Sequence, residues 1–178
     1  AAFVLPLLHR LMKQPRKVLR ALIIVPTREL AEQTHESIIR LGRHTKLKSA
    51  TIYGGVNQNP QIRNLRKGPE IVVACPGRLL DLMKQREIDL SRVEVLIIDE
   101  ADRMFDMGFL PNVRKIIESL PARRQTLLFS ATMPDDVSNL AGNILNNPVT
   151  VRIGHTAPAS TVSHAIYPVE QHLKAPLL

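Results

Sequence analysis

The chain has 178 residues, 44% of them apolar, enough for one domain with a single sizeable core and too few for a second complete one. Lys and Arg number 24 against 16 Asp and Glu, a formal net charge of +8. That balance favours a polyanionic partner, nucleic acid first, although a merely soluble basic surface has the same composition. One cysteine excludes an intramolecular disulfide, and the six histidines show no Cys/His spacing suited to zinc, so a reducing cytoplasm is expected.

The opening AAFVLPLLHRLM places its apolar stretch before its basic residues, the reverse of a secretory signal, and it is too short to span a membrane. A core-facing helix is expected there. Six short runs rich in branched apolar residues follow: ALIIV at 21–25, SATIY at 49–53, IVVAC at 71–75, VLIID at 95–99, TLLFS at 126–130 and VTVRI at 149–153. Helical patterns separate most of them, which predicts an α/β fold on a parallel sheet. After the first run, Leu30, Thr34, Ile38 and Leu41 share one helical face, Thr27 can cap its start and Gly42 can close its end. Val113, Ile116, Ile117 and Leu120 give a second stripe behind Pro111, and Val137, Leu140, Ala141 and Ile144 a third behind Pro134.

Beyond VTVRI the text turns to GHTAPAST, a small, polar, proline-containing connector, so a domain boundary is expected near Ile153. The last segment, VSHAIYPV, could form a strand but has no partner left in the sequence. The chain starts without methionine and stops at LKAPLL, and it reads as a piece of a longer protein.

Each of the first five apolar runs ends in a polar or glycine-containing cluster: PTREL, GG, PGR, EAD and AT. In an open parallel sheet all strand C-termini lie along one edge, where such folds bind ligands. In VEVLIIDEAD a buried strand delivers Asp99 and Glu100 as it leaves the core, and two adjacent carboxylates there need a compensating cation. An acid in this place can hold magnesium through water, the role suited to Asp99; a second can orient or deprotonate an attacking water, the role suited to Glu100. Acids at a helix N-terminus also complement its dipole, which accounts for one of them but not for the tetrad.

Asp99-Glu100-Ala101-Asp102 resembles the motif that names the DEAD-box ATP-dependent RNA helicases. Pro26-Thr27-Arg28-Glu29-Leu30 resembles their motif Ia, Gly54-Gly55 the double-glycine motif, Pro76-Gly77-Arg78 most of motif Ib, and Ser130-Ala131-Thr132 motif III. GGVNQNPQ and DMGFLPNVRKI look like the bacterial RhlE-type subgroup. The resemblance implies the first RecA-like domain, three-layered about a parallel sheet, over residues 1–154. Residues 155–178 would be an interdomain linker and the opening of a second RecA-like domain. It also implies ATP and magnesium as ligands, with Asp99 and Glu100 at the nucleotide and Asp102, Ser130 and Thr132 coupling hydrolysis to domain closure. RNA backbone would lie on Pro26, Thr27, Arg28, Gly54, Gly55, Pro76, Gly77 and Arg78.

The residue chemistry is compatible with that expectation. Arg28 and Arg78 sit beside expected helix starts, whose free amides favour phosphate. A glycine pair lets a strand approach the main chain, although such pairs also mark tight turns. Four Phe, two Tyr and no Trp leave little for base stacking, so contacts to phosphate and ribose, independent of sequence, are expected. Two departures stand out. The family's phosphate loop, G-x-x-x-x-G-K-[ST], and its adenine-reading segment are absent from this sequence, as are the second-domain motifs. Cys75 stands where threonine is usual before Pro-Gly-Arg, and a thiol is a weaker hydrogen-bond donor. Rival readings are a non-catalytic RNA- or protein-binding module on the same fold, and a RecA-type ATPase acting on DNA, which the tetrad and PTREL oppose.

Overall fold

The computed structural model describes residues 2–13, 17–153 and 167–177. The chain divides into two compact units, Ala1–Asn147 and Pro148–Leu178.

The first unit is built on five strands: β1 (Ala21–Ile24), β2 (Ser49–Ile52), β3 (Ile71–Ala74), β4 (Val95–Ile98) and β5 (Gln125–Leu128). They form one sheet in the order β2-β3-β1-β4-β5, every neighbouring pair parallel. Every residue of β1, β3 and β4 is buried, the pattern of a sheet covered on both faces.

Alternation along these strands makes two cores. Ala21, Ile23, Ile71, Val73, Val95 and Ile97 face α1 (Val4–Met12) and α2 (Arg28–Gly42), where they meet Val4, Leu7, Leu8, Leu11, Ala31 and Ile38. Leu22, Ile24, Val72, Ala74, Leu96 and Ile98 point the other way. They pack on α3 (Asn59–Leu65), α4 (Pro76–Lys84), α5 (Ala101–Asp106), α6 (Leu110–Glu118) and α7 (Asp135–Ile144). The result is a three-layer α/β fold. Each fully buried Leu or Ile in these layers contributes about 1.5–3 kcal/mol.

The N-terminal edge of the sheet is closed by two buried charges. Arg20, 4% exposed, grips both carboxylate oxygens of Glu94 at 3.0 Å and donates to the Leu11 carbonyl at 2.9 Å, tying the end of α1 to the start of β4. Glu70, 2% exposed, accepts the backbone N–H groups of Lys17 and Lys48. Gly68 is required there: its φ is +66°, and a Cβ would stand 2.6 Å from the Lys17 carbonyl oxygen.

The helical stripes read from the sequence occupy α2, α6 and α7, and the opening segment forms the core-facing α1. Thr27 caps α2 by accepting the Leu30 N–H at 3.3 Å. Gly42 is the last residue of α2, as expected, but it keeps a negative φ, and its bareness serves packing, since a Cβ would meet Leu8 at 3.3 Å. Residues 149–153 take no strand, and Val149, Val151 and Ile153 are at least 84% exposed. Branched residues favour extended backbone, but a strand exists only where a neighbour supplies hydrogen bonds, and no described residue pairs with this run. The expected connector at 154–161 and most of VSHAIYPV lie outside the described residues. Among the described ones, the second unit has a 3-10 turn (Gln171–Leu173) and a short helix, α8 (Lys174–Leu177).

Cys75 directly follows β3 and lies inside the α1/α2 core, 8% exposed. Burial, with a smaller contribution from the Glu29 carboxylate, pushes its thiol up to about 11. A pKa raised on folding adds stability below the ordinary thiol value and withdraws it as pH rises towards 11. Folded protein at pH 8 should therefore alkylate with iodoacetamide much more slowly than the same protein in denaturant, and the gap should narrow as pH approaches 11. Mass spectrometry of the modified chain checks this; equal rates at pH 8 would contradict it.

Candidate functional site

The sheet order sorts the five clusters along the C-terminal edge. Gly54-Gly55 follow β2, Cys75 to Arg78 follow β3 and Pro26 to Arg28 follow β1, so these three are neighbours. Asp99 to Asp102 follow β4 and Ser130 to Thr132 follow β5, forming the other half of the edge. In the sequence the first group (26–78) precedes the second (99–132), and the sheet order brings the β1 cluster next to the acidic one.

In the acidic half, the Asp99 N–H donates to the Ile24 carbonyl at 3.0 Å, continuing the ladder with β1. Its Oδ1 accepts the Glu100 N–H at 3.1 Å. Asp99 is half-buried, and its carboxyl lies above the usual carboxylate range. Burial drives this and the Glu100 charge adds to it, against the lowering effect of the bond from the Glu100 N–H. Glu100 occupies the left-handed region at φ 52°, ψ 53° and stands as N-cap of α5. Holding a non-glycine residue in a sparsely populated backbone region costs on the order of 1–3 kcal/mol and persists where the surroundings over-determine it. Here Asp99 is pinned to β1, the Ala101 N–H donates to the Phe129 carbonyl at 3.1 Å, and Met104 bonds back to the Glu100 carbonyl at 3.0 Å. The Glu100 carboxylate pairs with Arg103 at 3.1 Å on the exposed side of the turn.

Asp102 is held by the neighbouring strand end. Its Oδ2 accepts both the N–H and the hydroxyl of Thr132, each at 2.8 Å, and its Oδ1 accepts the Arg103 N–H at 3.0 Å. In return the Asp102 N–H donates to Ser130 Oγ at 3.0 Å, while that hydroxyl donates to the Thr132 carbonyl at 2.7 Å. Burial pushes the Asp102 carboxyl up, but the bonds from Thr132, Ser130 and Arg103 outweigh it and hold the group below the usual range. Asp102 therefore stays a charged acceptor locked to the 130–132 turn. The described side-chain contacts of Asp99 and Glu100 are with the Glu100 N–H and with Arg103.

No cluster of three or more His, Cys, Asp or Glu suited to a metal occurs among the described residues. Asp99 and Glu100 still fit a hard divalent cation held by few protein ligands, the habit of magnesium, which keeps most of its shell as water and phosphate. The half-buried Asp99 carboxylate, destabilised by burial and by its acidic neighbour, would be relieved by such a charge.

In the other half, Arg28 is exposed at the first turn of α2, and its guanidinium lies 5.1 Å from the centre of the Tyr53 ring. The Tyr53 hydroxyl donates to Glu32, a bond that, ahead of burial, raises the phenol's pKa. Gly55 has φ +76°, a turn conformation that suits glycine, and a Cβ on Gly54, Gly55 or Gly77 would meet nothing within 4 Å. The glycine pair is thus both a turn and an open face. Arg78 donates both terminal nitrogens to the Val56 carbonyl at 3.1 Å, so its guanidinium braces the loop after the glycines. Cys75 is the N-cap of α4 and makes no side-chain cap bond, leaving first-turn amides without one. Pro26 and Pro76 are buried, so they shape these turns and present little surface. Tyr53, Glu32, Val56, Gln61 and Arg103 were not singled out from the sequence. Only the aromatic residue directly before the glycine pair could have been suspected there.

Comparison with known proteins agrees with this arrangement. The DEAD/DEAH box helicase family model matches residues 1–140. Over 176 residues the chain is 40% identical to the DEAD-box ATP-dependent RNA helicase RhpA of Helicobacter pylori, covering 98% of this chain and 35% of that protein. It is 44% identical over 153 residues to the ATP-dependent RNA helicase CshA of Listeria monocytogenes, covering 86% of this chain and 29% of that protein. A crystal structure of a hypothetical ATP-dependent RNA helicase from Sulfolobus tokodaii superposes with a TM-score of 0.75 at 40% identity, over 83% of this chain and 42% of that one. The chain thus spans about a third of the length of these curated relatives. With the parallel sheet, the edge motifs and a family match over most of its length, the chain belongs to the DEAD/DEAH box helicase family and has its RecA-like fold.

Proposed function

We propose that this chain carries the first RecA-like domain of an ATP-dependent RNA helicase, with nucleotide chemistry on the β4/β5 half of the edge and RNA backbone on the β2/β3/β1 half. The observation that carries it is the division of labour among the carboxylates. Asp102 is locked to Ser130 and Thr132, while Asp99 and Glu100 share one turn and have no such lock. Residues 1–154 would form this domain and 155–178 the linker and opening of a second RecA-like domain. That second domain closes over RNA and ATP, and the whole works in the cytoplasm. No described helix is long and apolar enough to cross a membrane.

Asp99 would hold a magnesium ion, largely through water, and Glu100 would stand beside it. When bound, that ion neutralises charge on the phosphates of ATP. Glu100 orients the attacking water and takes its proton; its carboxylate stands on the left-handed turn, paired with Arg103. Asp102 carries no proton. It links the acidic turn to the 130–132 turn, so a shift at one is felt at the other. On the other half, Arg28, Arg78 and the bare glycines meet phosphate and ribose, which gives binding independent of sequence. Bending one strand there as the domains close would separate a short duplex locally.

Glu100→Gln keeps the shape and loses the proton acceptor. In the full-length protein supplied with magnesium and RNA it should slow ATP hydrolysis by about 10²-fold or more while ATP and RNA binding persist. Asp99→Asn should instead weaken nucleotide binding together with turnover. Steady-state ATPase and nucleotide-binding titrations separate the two; wild-type turnover by Glu100→Gln would remove the assignment, whereas no RNA-stimulated hydrolysis by the unmutated full-length protein would favour a non-catalytic module.

Thr132→Val deletes the hydroxyl bond to Asp102 and retains the N–H bond, a loss worth about 0.5–1.5 kcal/mol. Duplex unwinding should fall more than RNA-stimulated hydrolysis, measured side by side. Equal losses would place Thr132 in the hydrolytic step.

A further inference from the structure

The double-glycine turn hangs between two anchored points, one tied by Gln61 on α3, outside the recognised motifs, and the other by Arg78. Tyr53 leaves β2 just after the last ladder bond to β3, the Cys75 N–H to the Ile52 carbonyl at 2.8 Å. From there Gln61, on α3, takes over. Its side-chain oxygen accepts the Tyr53 N–H at 3.1 Å and its Nε2 donates to the Tyr53 carbonyl at 3.0 Å, a two-bond ring like that made by a neighbouring strand. Gln61 is 7% exposed, so solvent competes little for either bond. With its main chain fixed, the Tyr53 ring has one orientation, held by its hydroxyl on Glu32, and the Arg28 guanidinium rests on that ring at 5.1 Å. Past the glycines, Arg78 holds the Val56 carbonyl.

We propose that Gln61 and Tyr53 are positioning residues for RNA binding: they hold the open Gly54-Gly55 turn and the Arg28 side chain in the arrangement a phosphodiester backbone meets, without touching RNA themselves. The proposal rests on the reading of this half of the edge as the RNA surface. A long exposed arginine loses rotamer freedom when it grips a phosphate, and stacking on a fixed ring removes part of that loss in advance. Glycine has the greatest backbone freedom of any residue, so a turn of two glycines stays ordered only if its ends are tied. Gln61 and Arg78 are those ties.

The test uses the full-length protein with Gln61→Leu, Tyr53→Leu, Tyr53→Phe and Arg28→Ala. Readouts are RNA affinity across a salt series, KM for RNA and kcat in RNA-stimulated ATP hydrolysis, and Tm. Gln61→Leu and Tyr53→Leu should raise KM for RNA roughly two- to tenfold, the worth of one or two hydrogen bonds or a ring contact, with kcat at saturating RNA unchanged. Tyr53→Phe keeps the ring but loses the Glu32 bond, and should raise KM for RNA less than Tyr53→Leu does. The slope of log affinity against log salt should be unchanged in Gln61→Leu, because no phosphate contact is lost, whereas Arg28→Ala should flatten it by about one contact. Wild-type KM in both leucine variants, with Arg28→Ala weakened, would overturn the positioning role while leaving the RNA surface in place. A fall of kcat and Tm together would assign Gln61 to the fold alone; should that variant not fold, the Tyr53→Phe and Tyr53→Leu contrast decides. If Arg28→Ala binds RNA as wild type, this half of the edge is not the RNA surface and the proposal falls with it.

Discussion

Burial of a parallel sheet on both faces is the constraint on which the molecule depends. Parallel strands must all return through helices, and β1, β3 and β4 have no exposed residue, so those helices cover both sides. On those three strands polar side chains then have a place only at the ends. The N-terminal edge uses its polar groups for closure: Arg20 is held by Glu94 and Leu11, and Glu70 by the amides of Lys17 and Lys48. The C-terminal edge is left for chemistry, which explains why every recognised motif lies along it.

The two halves of that edge are built on different principles. Around β4 and β5 the turns are locked by charge-assisted bonds to one carboxylate, Asp102, and the strain of a left-handed Glu100 is held in place by strands on either side. A strained, tightly bonded turn has few alternative arrangements, which suits a group that must meet a water and a phosphate in one geometry. Around β2, β3 and β1 the main chain is bare and the braces come from side chains, Arg78 on Val56 and Gln61 on Tyr53. That arrangement suits a long, repeating polyanion, which needs open backbone and fixed cations more than shape-fitted pockets.

The excess of base over acid fits the same picture. A net charge of +8 attracts any polyanion, but long-range attraction carries no geometry; placement comes from the few arginines at strand ends. Arg28 and Arg78 are both long cations at helix starts, yet one rests on an aromatic ring and the other on a main-chain carbonyl. The first offers its charge from the face of the ring. The second gives its terminal nitrogens to the loop that shapes the surface and keeps its charge beside that loop.

By itself the sequence determined what depends on neighbours a few residues away: helix stripes such as Val113, Ile116 and Ile117, the Thr27 cap, five of the six strand runs, and polar clusters at five strand ends. These are set by local periodicity, which needs no partner to be legible. It failed at VTVRI, where branched residues suggest a strand but strand pairing is a property of what lies alongside, and it placed Gly42 at a helix end without showing that its bareness answers Leu8 from a distant helix. Only the tertiary structure decided the order β2-β3-β1-β4-β5, and with it which clusters meet. It alone showed that Asp102 turns to Thr132, that Glu100 is left-handed, that Arg78 braces Val56 and that Gln61 stands in for a strand beside Tyr53. Each joins a strand end to a residue on another element or strains the chain between two such ends. Spacing along a sequence says which groups a chain possesses; packing around a two-faced sheet determines which of them share a hydrogen bond.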